Sequence, residues 1–276
     1  MNWLSEMLSY TFMQRALIAG LLISICAALV GVSLVLRKNS MIGDGLSHTA
    51  FGAFAIATVL NIAPLWFAIP VVIAASFFVL KLSNNKKVSG DVLIALLSAS
   101  SLAIGTMAIS LTKGVNIDLN SYLFGSILSI SQSDVWLSLV LTIAVVLLYV
   151  FAHNRIFAIT FDEDFAKAIG IKTNVYDAIF AIICSLVIVF GMRLLGALLI
   201  SSLIIFPTLI AMQFSKSFGR VVVYSVLISV VNFVLGLVIS YLITSPTGAT
   251  VVITNLVILV IAYILRRTVL GRGLKQ

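Results

Sequence analysis

Apolar residues run through this chain in long blocks, separated by short polar breaks. The blocks fall at 12–36, 41–60, 64–82, 91–112, 134–152, 175–191, 194–213, 220–243 and 248–266. Each comes close to the ~20 residues an α-helix needs to cross the hydrocarbon of a bilayer. Lipid offers no hydrogen bonds, so a spanning backbone must satisfy its own within each helix. The pattern therefore predicts an all-α, polytopic helical membrane protein with eight or nine transmembrane helices. The two counts part at Gly191-Met192-Arg193, which reads either as a tight external turn or as a break within one kinked helix. A count of eight would move the N-terminus to the other side.

No stretch is long and polar enough for a separate soluble domain, so residues 1–276 are expected to form one membrane domain. The first block has no basic residues before it and no small-residue cleavage signal after it. It is expected to be a retained helix, not a signal peptide.

Two interruptions are longer than turns. The first, 113–133, holds an apolar patch from Tyr122 to Ile130 that is too short to span, which predicts a short interfacial or re-entrant helix. The second, 153–174, carries Asp162, Glu163 and Asp164 where a helix N-terminus favours negative charge. Phe165, Ala168 and Ile169 follow as an apolar stripe, and Gly170 supplies a stop. An exposed helix with such a stripe packs either on a partner protein or on its own bundle.

Composition agrees with the pattern. Hydrophobic residues make up 62% of the chain and charged residues 9%, against about a quarter charged in soluble domains, and the mean hydropathy is +1.23. A net charge of +8 could suggest nucleic acid, but its distribution assigns it to topology. With nine spans, fourteen of the 17 basic residues fall on one side, leaving Arg15, Lys113 and Arg193 on the other. The positive-inside rule makes the basic side cytoplasmic, and no nucleic-acid partner is expected. Cys26 and Cys184 lie within apolar blocks and read as small packing residues.

The sequence contains no GxxxxGK[ST] loop for ATP phosphates and no HExxH zinc-protease motif. Its two histidines, His48 and His153, lie on different elements without a nucleophile partner, so no Ser-His-Asp set can be drawn. Nothing points to an enzyme. A channel, a transporter or a transporter subunit is expected.

The chemistry concentrates in SMIGDGLSHT at 40–49. Asp44 and His48 are the only ionisable residues of block 41–60, and i,i+4 spacing puts both on one helix face. A carboxylate and an imidazole make half of a four-coordinate zinc site, or part of a larger manganese shell. A symmetric dimer could bring two such pairs together. Gly43, Gly45, Ala50, Gly52 and Ala53 would allow close helix approach around them. The competing reading makes Asp44 a helix N-cap and His48 a satisfied interfacial residue. His153, beside Arg155 at a helix end, is unremarkable.

Six ordered motifs then carry a resemblance over almost the whole chain. They are LRKNSMIGDGLSHTAFG at 36–52, GDVLIALLSASSLAIGT at 90–106, DLNSYLFGSILSIS at 118–131, TFDEDFAKAIGI at 160–171, RLLGALLISSLIIFPTLIA at 193–211 and SPTGATVVITN at 245–255. Together they resemble the permease subunit of the zinc/manganese-type metal-ion ABC importers, in the bacterial plasma membrane. The resemblance implies a second copy of the chain, two copies of a separate ABC ATPase and an extracellular metal-binding protein. It implies that Asp44 and His48 bind the transported zinc or manganese ion, with no permanently bound cofactor and with ATP used by the partner. It also implies that the region 161–171 couples to the ATPase, with Phe165, Ala166, Ile169 and Gly170 as contact residues. The tract around Pro207 resembles the family's core helix near the dimer axis, where the proline supplies either a local break or a packing kink. Local wording around SHTAFGAFAI and FDEDFAKAIGI is closer to Gram-positive zinc-uptake members, so zinc is the first expectation. A stand-alone metal/proton antiporter fits less well, having essentially one mid-membrane acid in Asp44. A siderophore or cobalamin permease would not need ionic ligands.

Overall fold

The computed structural model describes residues 3–83, 90–112, 119–125 and 129–270. These form thirteen α-helices: α1 (Trp3–Ser9), α2 (Thr11–Leu36), α3 (Met41–Val59), α4 (Pro64–Ser83), α5 (Gly90–Leu111), α6 (Leu119–Phe124), α7 (Gln132–Phe151), α8 (His153–Phe161), α9 (Glu163–Ala168), α10 (Thr173–Leu195), α11 (Ala197–Phe214), α12 (Phe218–Ile243) and α13 (Thr247–Leu265). Every apolar block of the sequence has its own long helix. Seven helices are long and apolar enough to cross a membrane, namely α2, α5, α7 and α10 to α13. Asp44, His48 and their small neighbours dilute α3, and in α4 the stretch Pro64–Val79 is also apolar. Lys86, Lys87, Lys113, Arg272, Lys275 and much of the 113–133 interruption lie outside the described residues.

Local chemistry sets the boundaries. Pro64 begins α4, where its missing N–H costs nothing. Ser131 caps α7 in a reciprocal box: the Asp134 amide donates to Ser131 Oγ at 3.2 Å and the Ser131 amide to Asp134 Oδ2 at 3.0 Å. Thr244 closes α12 in the left-handed region, and Pro246 precedes α13. Pro207 does not interrupt α11, which runs through it to Phe214.

The core forms around α2, which packs on α7, α10, α11 and α12. Several buried hydroxyls there bond to the backbone or to one another, as buried polar groups usually do, although Thr208 on α11 and Ser225 on α12 have no hydrogen-bond partner. Tyr149 donates to the Leu29 carbonyl and shares a 2.7 Å bond with Ser33, and Ser229 donates to the Ser24 carbonyl at 3.0 Å. Large apolar side chains such as Trp136, Val140 and Phe151 project outward from α7. In water so much apolar surface would drive association; against lipid it is matched to its solvent.

Side-chain contacts gather the basic termini at one end. Arg37, just past α2, donates to Asp177 on α10 at 2.8 Å. Arg266 after α13 donates to Gln213 on α11 at 2.7 Å, and the His153 ring packs on Phe218 at the start of α12. At the other end Arg193 meets the buried Asp134 carboxylate at 3.2 Å. Arg193 thus secures the end of α10 to the start of α7, a partnership the sequence did not reveal.

Two expected boundaries move. The break near Gly191-Met192-Arg193 is a tight turn at Gly196 instead: α10 continues to Leu195 and α11 starts at Ala197. Gly196 adopts φ 91°, a conformation open to glycine, which explains why the chain reverses there. The short external helix starts earlier than the Tyr122–Ile130 patch and occupies Leu119–Phe124. Tyr122 packs against Phe51 and Phe54 of α3, with ring centroids 6.1 and 6.0 Å away. Gly125, Gly196 and Gly248 let this segment meet the α10–α11 turn and the start of α13 backbone to backbone. A Cβ on Gly196 would strike the Gly125 amide, and one on Gly248 the Phe124 carbonyl. The helix is therefore wedged into the bundle, which an interfacial position would not require.

Candidate metal pathway site and coupling helix

Asp44 is not an N-cap. Helix α3 starts at Met41, the capping position is Ser40, and no side chain bonds the free amides there. Asp44 lies within the first helical turn and His48 one turn on, so their shared face follows directly from α-helical spacing. Asp44 Oδ1 and His48 Nε2 stand 3.7 Å apart, too far for a hydrogen bond. An ion holding one nitrogen and one oxygen at about 2.1 Å with tetrahedral angles would space them by roughly 3.4 Å. A small side-chain adjustment closes that difference.

Neither group is consumed by the fold. The Asp44 side chain is 39% exposed and that of His48 17%. His48 Nδ1 is buried without a hydrogen-bond partner. Buried polar atoms are normally satisfied, so an orphan on this imidazole leaves a nitrogen free for another donor or an ion. The small neighbours act as the spacing suggested: Gly43 lies against Ile204 of α11, Gly45 against Ile94 of α5 and Gly52 against the Ser101 carbonyl. These contacts hold α3 against α5 and α11, with Asp44 partly exposed and His48 largely buried.

Ser47 adds a contact that the sequence could not pair. Its hydroxyl donates to the Gly43 carbonyl at 2.7 Å and lies 3.4 Å from Ser201 Oγ on α11. The SS pair in LLISSLIIFP was the only hint. Among the described residues no group of three or more His, Cys, Asp or Glu side chains could hold a metal. One chain thus presents two such donors and no closed cage.

The second candidate region is α9 and its flanks. The Asp162 side chain accepts from the Phe165 amide at 2.9 Å and so caps α9, as its acidic start suggested. Gly170 ends the segment at φ 85° with open space beside it. Lys167 donates to Glu163 at 2.6 Å, and that bond holds its ammonium pKa above the ordinary value. Phe165 and Ile169 point outward, while Ala166 is fully buried. Ala166 therefore seats the helix on its own bundle, and Phe165, Ala168 and Ile169 remain as the free stripe. His153 belongs to neither region, since its ring packs on Phe218.

A helical bundle with apolar outward faces, an ionisable pair on α3 and a capped apolar helix at its basic end fits a multi-pass membrane protein. The sequence model of the ABC 3 transport family matches residues 9–266. The manganese import system permease protein ScaB of Streptococcus gordonii is 31% identical over 254 residues, 92% of this chain and 91% of that protein. The high-affinity zinc uptake system membrane protein ZnuB of Haemophilus influenzae is 28% identical over 247 residues, 90% of this chain and 95% of its own. Among solved structures, PsaBC from Streptococcus pneumoniae in complex with Fab superposes with a TM-score of 0.84 at 28% identity, covering 95% of this chain and 94% of that one. The chain belongs to the ABC 3 transport family. It is a permease subunit of the bacterial plasma membrane, and ATP hydrolysis resides in a separate subunit.

Proposed function

We propose that this chain is the membrane subunit of an ATP-driven importer of divalent transition-metal ions, with zinc the preferred cargo. The observation that carries the reading is the Asp44–His48 pair, with its partly exposed carboxylate and its buried, unpartnered imidazole nitrogen. Two copies related by a two-fold axis would present two carboxylates and two imidazoles, a complete tetrahedral set for zinc. An external metal-binding protein delivers the ion, Asp44 and His48 of both copies bind it transiently, and two ATPase copies drive the change of access. Phe165 and Ile169 supply the apolar contact to the ATPase, Gly170 sets the turn beside them, and Ala166 anchors the helix from within. Manganese is the second reading, favoured by the name of the 31% identical relative. An oxygen-rich shell completed by water would suit that ion.

The test is uptake by vesicles reconstituted with the full complex. Asp44→Ala and His48→Ala should each reduce zinc uptake by at least tenfold while the protein folds and assembles normally. Wild-type rates in both variants would remove the pair from the pathway. Competition between zinc and manganese in the same vesicles decides the cargo.

A further inference from the structure

A groove of about 860 Å³ runs between α7 and α10 at the basic end of the bundle. Its walls are apolar, formed by Leu147 and Phe151 on one side and Val175, Ile179 and Ile183 on the other. Its mouth carries two cations, Arg155 and Lys172. No acidic side chain lines it, and neither cation forms an ion pair among the described residues. The nearest acid along α10, Asp177, is engaged by Arg37. Arg155 is held in place, since it donates to the Tyr176 hydroxyl and lies 5.7 Å from the centroid of that ring.

We infer that this groove binds one acidic glycerophospholipid of the cytoplasmic leaflet, with its phosphate at Arg155 and Lys172 and its acyl chains along α7 and α10. Depth distinguishes a lipid from a soluble partner. At 1.5 Å per residue, Ile183 lies about 15 Å along α10 from Thr173. That is about half of a hydrocarbon core ~30 Å thick, the depth of one leaflet. A water-soluble subunit cannot follow the groove that far, whereas an acyl chain does. Charge selects among lipids. Two unpaired cations at the cytoplasmic boundary attract an anionic headgroup and have little preference for a zwitterionic one. Tyr176, amphipathic and at headgroup level, suits the same boundary. Ile169 and Gly170 also border the groove, so the bound lipid would touch the segment that ends α9.

Native mass spectrometry of the full-length permease, delipidated in detergent and reloaded with defined lipid, tests the inference. Phosphatidylglycerol should be retained and phosphatidylcholine with the same chains should not. The Arg155→Gln/Lys172→Gln double variant should weaken phosphatidylglycerol retention by about thirtyfold, about fivefold per cation. Both side chains are exposed, so the fold tolerates the change. As a second variant, Ile179→Trp fills the groove with the cations intact and should also abolish retention. Equal retention of the two lipids, unchanged retention in both variants, or displacement of the lipid by sn-glycerol 3-phosphate alone would each overturn the inference. Binding seen only after a dimer is dissociated would equally overturn it, by assigning the groove to a second copy.

Discussion

Single positions decide much of this molecule through space alone. Gly248 has an ordinary backbone conformation but no room, and Gly170 has room but a left-handed backbone. Gly248→Ala should therefore cost about 1–3 kcal/mol through overpacking against Phe124. Gly170→Ala should cost only the ~1 kcal/mol of placing a Cβ in that region. Thermal unfolding of the two variants in detergent should order them accordingly. That Asp44 and His48 share one helix face was legible in the sequence, because i,i+4 spacing is a property of one element. The sequence could not disclose the Ser47–Ser201 contact, which depends on how α11 crosses α3, or the orphaned His48 Nδ1, which depends on packing beyond its own helix. The N-cap reading of Asp44 failed for a local reason: α3 begins three residues earlier, at Met41.

Among elements, α9 makes the clearest case for two faces with separate duties. Asp162→Ala removes its cap and should destabilise this short helix by about 1 kcal/mol. Phe165→Asp and Ile169→Asp should leave membrane insertion intact and sharply reduce co-purification of the ATPase. Ala166→Leu should instead disturb the seating of α9 on the bundle, which limited proteolysis would register. The Lys167–Glu163 bond should not make assembly pH-dependent near neutrality. A raised ammonium pKa gives a contribution fully present below the usual value of 10.5, lost only as pH climbs through the folded value. The acids, stripe and glycine of 162–170 were legible in order. The inward turn of Ala166 was not, because an alanine is compatible with either face.

For the whole molecule, hydropathy and charge told most of the story. Block lengths predicted the long helices, and the ends that carry the basic residues do meet, through Arg37–Asp177 and Arg266–Gln213. What escaped was the wedge of α6, whose contacts lie far along the chain at Gly196 and Gly248. The proposed pairing of two half-sites also has a consequence at this scale. Equilibrium binding to a purified dimer should give one zinc ion per two chains. Detergent-dissociated single chains should bind at least a hundredfold more weakly, since the proposed site takes half of its ligands from each copy.

The contact of Gly125, Gly196 and Gly248 bears on biogenesis. Chain order puts α6 into the membrane before the turn at Gly196 and the start of α13 have been synthesised. Until both arrive, the carbonyl of Phe124 has nothing to rest on. The end of the bundle that holds α6 is therefore closed by α13, the last α-helix among the described residues, which makes the docking of Gly248 onto α6 a late step of assembly.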